Sequence, residues 1–391
     1  MMTVKTTATF HVSTAMMLLA GAASLWAAGV SPAQAETRFK QTNLVSDGAV
    51  PAMITDADLV NAWGLAASST SPFWVADNGT GVATIYVVAP DNASVTKAGL
   101  TVTIPSATGI PPSAPTGQVF YGGSGFQING SPARFLFDSE DGAITAWNGG
   151  TTASIVVNNG GGAIYKGLGV DAANAMLFAS DFHNGDIEVY DTNFDPVTTP
   201  GGFTDPNLPA GYAPFDLKVF NSKLYVTYAK QDDAKEDDDP GPGHGFVDVF
   251  DLNGALEMRL ISGGALNSPW GLEFAPASFG TFAGDLLVGN FGDGAINAFD
   301  PTTGAFIDSL RDQNGQPIDI TDLWALSLGN GGSGGGTDTL YFTAGLADEA
   351  HGLFGGLTAV PETSTWVMVL AGFVGLGFVR RRARRSIAEA M

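Results

Sequence analysis

The chain has no cysteine, which excludes disulfide staples, thiol nucleophiles and Cys-ligated zinc. It is also poor in positive charge, with 17 Lys and Arg against 39 Asp and Glu and a formal net charge of −22. Such a surface repels nucleic acid and other polyanions and leaves divalent cations, cationic partners and neutral ligands. Yet only 14% of residues are charged and 52 are glycine, a balance that fits a turn-rich β protein better than an acidic disordered one. Several catalytic signatures are absent as well. There is no HExxH and no Gly-x-Ser-x-Gly elbow between a strand and a helix, and the glycine run 329–338 lacks the Gly-Lys-Ser/Thr ending of a phosphate loop. That run reads as a flexible connector.

What is present begins with two address-like ends. Lys5 precedes an apolar stretch that reaches Val30, and Ala33-Gln34-Ala35 offers a small-x-small cleavage site. Residues 1–35 therefore read as a signal peptide, with signal peptidase as a processing partner and Glu36 as the first mature residue. At the other end, Pro361 and Glu362 precede the apolar run WVMVLAGFVGLGFV and then Arg380, Arg381, Arg382, Arg384 and Arg385. The run is about two-thirds of the roughly 20 residues a helix needs to cross a bilayer, so the arginines must anchor its end. This tail, residues 360–391, resembles the PEP-CTERM sorting signal, with Thr363 standing where that signal has a second proline. The resemblance implies recognition by an exosortase and transient anchoring in the inner membrane. It also implies export to the outer surface or extracellular matrix of a Gram-negative, exopolysaccharide-producing bacterium. Without the two ends, the core has eleven basic against thirty-seven acidic residues, a net of −26.

The core, residues 36–359, is a sixfold repeat. Its clearest copy reads SPWGLEFAP, then GDLLVGNFGDGAINAFDPTTGAFIDSL, over residues 268–310. Further copies start at Asn61, Tyr165, Ala213 and Asp322, and ARFLFDSEDGAITAWNG marks a weaker second copy whose opening strand falls in GQVFYGGSGFQI. Each copy holds three short runs of Val, Ile, Phe, Tyr and Leu between Gly, Asp and Asn turns, with a looser fourth run. Four antiparallel strands per copy, repeated radially, predict an all-β, six-bladed β-propeller. No copy contains ten residues of helical pattern, which excludes a βαβ fold. The sixth copy lacks its fourth strand, and the β-like segment TRFKQTNLVS before the first copy is expected to supply it, closing the ring. These blade patterns resemble NHL-type propellers and the wider lactonase-like six-bladed group. Propellers host enzymes, binding modules and scaffolds, so the fold alone does not name the function.

Strand polarity places the blade-opening Trp63, Trp270 and Trp324 on the same face as Asp77, Asp138, Asp181 and Asn290, which end second strands, and this channel mouth is the expected site. A calcium ion there would draw on Asp77, Asp138, Asp181 and the Asn290 amide as hard oxygen ligands. Local turn chemistry is the other account of the same residues. His183, His244 and His351 fall just before third strands, and three imidazoles suit zinc or base chemistry if they converge. The fourth copy carries an insertion, residues 231–245, whose five aspartates and one glutamate predict a solvated, mobile loop. The leading reading is an exported binding or scaffold module that engages exopolysaccharide or a surface protein. The alternative is a calcium-dependent, lactonase-like hydrolase working at the channel mouth. A channel plugged by Trp and Phe side chains favours the first; a channel calcium beside an ester-sized pocket favours the second.

Overall fold

The computed structural model describes residues 36–171, 173 and 176–360. The expected signal peptide and the sorting residues Pro361, Glu362, Arg380, Arg381 and Arg382 lie outside the described residues. Six small antiparallel sheets account for the six copies. Blade 1 is built from Ala62–Ala66, Phe73–Asp77, Val82–Val88 and Val95–Lys97, and blade 2 from Pro115–Phe120, Phe135–Ser139, Ala143–Trp147 and Ser154–Asn158. Blade 4 comprises Tyr212–Phe220, Lys223–Lys230, Phe246–Asp251 and Leu256–Ser262, and blade 5 comprises Pro269–Phe274, Leu286–Asn290, Ile296–Phe299 and Phe306–Ser309. In each blade the first strand pairs on one side only, so its other long edge faces the central channel. The one helical element among the described residues is a short 3-10 segment, Ala277–Phe282.

Blade 6 closes the ring. Its strands Leu323–Leu328, Thr339–Ala344 and Leu353–Val360 are completed by Arg38–Ser46. That strand runs antiparallel to the last one from Arg38↔Val360 to Ser46↔Leu353, with an irregularity between Asn43 and Val45. Phe39 anchors it on the neighbouring blade, 4.8 Å from the Phe279 ring, and its N–H donates to Arg311 O at 2.9 Å.

Two expectations need correction. Among the described residues blade 3 has three strands, Tyr165–Asp171, Met176–Asp181 and Asp186–Tyr190, and no fourth. The following segment touches the edge only at a Tyr190↔Pro196 bridge and a Val197 N–H donated to Val189 O at 2.8 Å. Pro196 and Pro200 lack the N–H groups a ladder needs. The glycine run 329–338 is not a loose connector. The Val88 N–H donates to Ser333 O at 2.9 Å, and Asn330 Nδ2 donates to Ser68 O and Ser71 O, both at 2.8 Å, which ties the run to blade 1.

The core is divided among the blade interfaces. Leu287, Ile296 and Ala298 of blade 5, for example, pack with Leu340, Phe342 and Leu357 of blade 6. At the axis the inner strands come so close that a Cβ on Gly64 would lie 2.4 Å from Thr116 O, so the Trp63-Gly64 pair fills the axis with one residue and admits the next blade with the other.

Because one blade is assembled from both ends of the propeller, deleting residues 38–46 is expected to abolish the cooperative thermal transition. A retained sigmoidal melt by circular dichroism would show that the ring does not need this strand.

Candidate functional site

The end of the channel at which the inner strands begin is organised by a hydrogen bond repeated six times. The residue leading into each inner strand, namely Asn61, Ala114, Ile164, Gly211, Ser268 and Asp322, offers its carbonyl to the N–H just past the second strand. The donors are Asn78, Glu140, Phe182, Gln231, Phe291 and Gly345, at 2.8 to 3.1 Å. In four of the six blades the accepting residue has positive φ (Asn61, Gly211, Ser268 and Asp322), the conformation that Asn, Asp and Gly tolerate best.

Three tryptophans converge inside this ring. Trp63 and Trp324 stack at 3.5 Å between centroids, Phe291 stacks on the other side of Trp324 at 4.1 Å, and Trp270 lies edge-on to both tryptophans at 6.5 and 5.9 Å. Phe182 and Phe215 complete the cluster. Trp324 Nε1 donates to Asn61 Oδ1 at 3.0 Å and Trp270 Nε1 to Lys166 O at 2.9 Å, whereas the buried Trp63 Nε1 has no partner. The expected mouth residues Trp63, Trp270 and Trp324 are thus together, and together they plug the channel.

A charged layer lies over the plug. Lys166, from the inner strand of blade 3, holds its Nζ 5.3 Å from the Trp63 ring centroid and donates to Glu140 and, at 2.8 Å, to Asp237. Burial alone would lower the lysine pKa, but Glu140 and Asp237 more than compensate and raise it. Asn78 donates to Glu140 at 2.8 Å and Asn61 to Glu349 at 3.0 Å. Burial, followed by the nearby Glu140, pushes the Glu349 carboxyl up to about 8, and burial pushes Asp238 up to about 6. Lys166, Glu140 and Glu349 were not singled out from sequence.

Asp237 and Asp238 belong to the acidic insertion, whose residues 233–237 are exposed as expected but which is tied down at the mouth. Gln231 bridges Asp238, Lys230 pairs with Asp239, and the Gly241 N–H donates to Asn267 Oδ1 at 2.7 Å. Two of its carboxylates, Asp237 and Asp239, pair with Lys166 and Lys230, a pairing that charge counting along the chain does not show.

Asp77, Asp138, Asp181 and Asn290 are all buried but do not surround one point. Asp77 accepts the Thr84 N–H at 3.1 Å, Asp181 accepts the Asn184 N–H at 3.1 Å, and Asn290 Nδ2 donates to Asp293 Oδ1 at 3.0 Å, each within its own blade. Among the described residues no three His, Asp or Glu side chains stand at metal-binding spacing, so these four do not fit a shared calcium ion. The histidines are likewise separate. The Nδ1 of His183 lies 3.2 Å from Lys235 O, that of His244 2.8 Å from Asp239 O, and that of His351 2.6 Å from Asp47 Oδ2.

Thr116 Oγ1 stands 2.9 Å from both Asp138 Oδ1 and Tyr165 O, and its single proton serves one of the two at a time. Burial pushes the Asp138 carboxyl from an ordinary 3.8 up to about 7, against the Thr116 hydroxyl, which favours the ionised form.

Beyond the plug the channel widens into a cavity of about 260 Å³ lined from all six inner strands. Its walls include Leu65, Leu168, Leu217 and Leu326, with Gln118 and Asp216 among the polar residues. Lys218 is tied down at the same end, its Nζ donating to Leu272 O and Leu326 O at 3.1 Å and to Glu273 at 3.0 Å.

Fold and site define a six-bladed β-propeller with a channel plugged by aromatics at one end and hollow at the other. The chain is 33% identical over 348 residues to Uncharacterized protein L690 of Acanthamoeba polyphaga mimivirus, spanning 83% of this chain and 87% of that protein. It is 30% identical over 344 residues to Uncharacterized protein R648 of the same virus, spanning 83% and 82%. The chain belongs to the family of these two proteins. No family model matches it. Among solved structures, a structural genomics protein of unknown function from Bacteroides thetaiotaomicron aligns with a TM-score of 0.52 at 11% identity, over 83% of this chain and 77% of that one. That likeness shows the fold alone.

Two outcomes are expected from this geometry. Lys166→Met leaves Glu140 and Asp237 facing each other without their cation, so cleavage after Glu236 by a glutamate-specific protease should accelerate; an unchanged rate would mean that Lys166 does not hold the insertion down. Raised carboxyl pKa values also make stability depend on pH. The contribution of neutral Asp138 is complete below its unfolded pKa and lost as pH rises through about 7; Asp248, fully buried in the third strand of blade 4 and pushed by that burial up to about 7, and Glu349, at about 8, act in the same sense. The melting temperature should therefore fall between about pH 5 and about pH 8, and Asp138→Asn should flatten part of that slope.

Proposed function

We propose that the protein is an exported propeller that works as a binding or scaffold module at the cell surface or in the extracellular matrix, without hydrolytic chemistry. The observation that carries this reading is the sealed mouth. The stack of Trp63, Trp324 and Phe291 fills the end of the channel where an ester would have to meet a channel calcium. The cation at that mouth is the chain's own Lys166 ammonium, already engaged by Glu140 and Asp237. The acidic surface directs partner choice toward a neutral exopolysaccharide or a basic surface protein and away from nucleic acid. Export rests on the signal peptide of residues 1–35, and sorting on Pro361, Glu362 and the arginines 380–382, with signal peptidase and an exosortase as the processing partners.

Two measurements on the purified native protein test this reading. Mass spectrometry of material from the cell surface should find a chain starting at Glu36 and lacking the basic tail; recovery of an intact tail ending at Met391 would remove the sorting step. Lactone and aryl-ester substrates should turn over no faster than in buffer, with or without calcium. Chelator-sensitive hydrolysis that is lost in a Trp63→Ala variant of unchanged melting temperature would establish the hydrolase instead.

A further inference from the structure

The hollow end of the channel combines two features. One is a ring of leucines, Leu65, Leu168, Leu217, Leu272 and Leu326, drawn from five of the six inner strands. The other is a pair of polar side chains, Gln118 and Asp216, of which Gln118 has an oxygen acceptor with no donor. Gln118 is 6% exposed and donates its Nε2 to Trp74 O, while its Oε1 is buried with no hydrogen-bond partner. Asp216 is likewise 6% exposed; its carboxyl accepts the Leu217 N–H, and its Oδ1 lies against blade 3, where a Cβ on Gly167 would come within 2.5 Å of it. A buried acceptor with nothing to accept from is costly, about 1–3 kcal/mol for a neutral group and more for a charged one, and a ligand that donates to it recovers that cost.

We propose that this half of the channel binds a small primary alkylammonium ion, its alkyl part among the leucines and its N–H groups donating to Gln118 Oε1 and the Asp216 carboxylate. The proposal rests on reading the propeller as a binding module and names the ligand class it takes. Size supports the choice, since a cavity of about 260 Å³ lies below the roughly 300–1,000 Å³ of pockets for drug-sized ligands. So does charge. A protein of net charge −22 concentrates cations around itself. Lys218, the one lysine lining the cavity among the described residues, is held by Glu273 and two carbonyls of blades 5 and 6.

Protonation couples to binding. Burial holds the Asp216 carboxyl well above its ordinary value, partly offset by the Leu217 N–H and by Lys218 on its own strand and reinforced by Asp138 of blade 2. An arriving ammonium favours the ionised carboxylate and so expels a proton. Affinity should therefore rise with pH until the ligand itself deprotonates near the lysine range of about 10.

Isothermal titration calorimetry of the native protein with n-butylammonium chloride, and with n-butanol as a neutral analogue of similar size, tests the proposal. The expected result is saturable binding of the ammonium ion but not of the alcohol. Heats should vary with buffer ionisation enthalpy as a proton is released, and the dissociation constant should decrease from about pH 6 to about pH 8. Asp216→Asn, compared at equal melting behaviour, should weaken the ammonium roughly tenfold or more. No binding of butylammonium, equal binding of butanol, no proton release, or an unaffected Asn variant would each overturn the assignment. None of these results depends on hydrolysis or on export, so this site can fail while the binding-module reading stands, and the reverse.

Discussion

Sheets set around an axis leave one raw edge at each end of the series, and pairing of Arg38–Ser46 with Leu353–Val360 removes both at once. Every other blade is made of strands that follow one another in the chain, so its ladders form from local contacts. The closing ladder instead joins residues more than three hundred positions apart, and its loop-closure entropy must be met by one strand's hydrogen bonds and the burial of Phe39, Leu44 and Val45. Without that pairing, blades 1 and 6 would face each other as separable surfaces and the axis would have no fixed radius.

A fixed radius is what the aromatic plug requires. Trp63 and Trp324 come from blades 1 and 6, on either side of the closure, and their 3.5 Å stack forms only if those blades hold their separation. Lys166 links the plug to the surface, with its stem buried and its ammonium shared between Glu140 of blade 2 and Asp237 of the insertion from blade 4. Closure, plug and charged cover are therefore one mechanical series, and the hollow half of the channel lies beneath it.

The repeat was readable because each copy carries the same alternation of β-type runs and turns, and so was the need for a strand ahead of the first copy. The missing outer strand of blade 3 was obscured because DTNFDPVTTP keeps the right length and polarity for a connection while its prolines remove the donors. At the mouth, sequence register came within one or two positions of the ring. Asp77, Asp181 and Asn290 were chosen, but successive residues of a strand point to opposite sides, so it is Asn78, Phe182 and Phe291 that reach the axis. Lys166 gave no signal, since a lysine at the start of YKGLGV looks like a solvated strand end until Glu140 and Asp237 are seen around it. The hollow end was invisible for a different reason: its walls are inner-strand leucines, and a residue lining a channel has the same composition as one filling a core.

Arg38 and Val360 are direct partners across the closing ladder, so the two ends of the propeller leave it side by side. A force that drew these ends apart would peel the ladder one pair at a time, starting at Arg38 and Val360, which is the weakest direction for a β pairing. A force applied through one end alone would not open it in this way. For this ring, being held at a single point preserves the fold, whereas being stretched between two points is a way to take it apart.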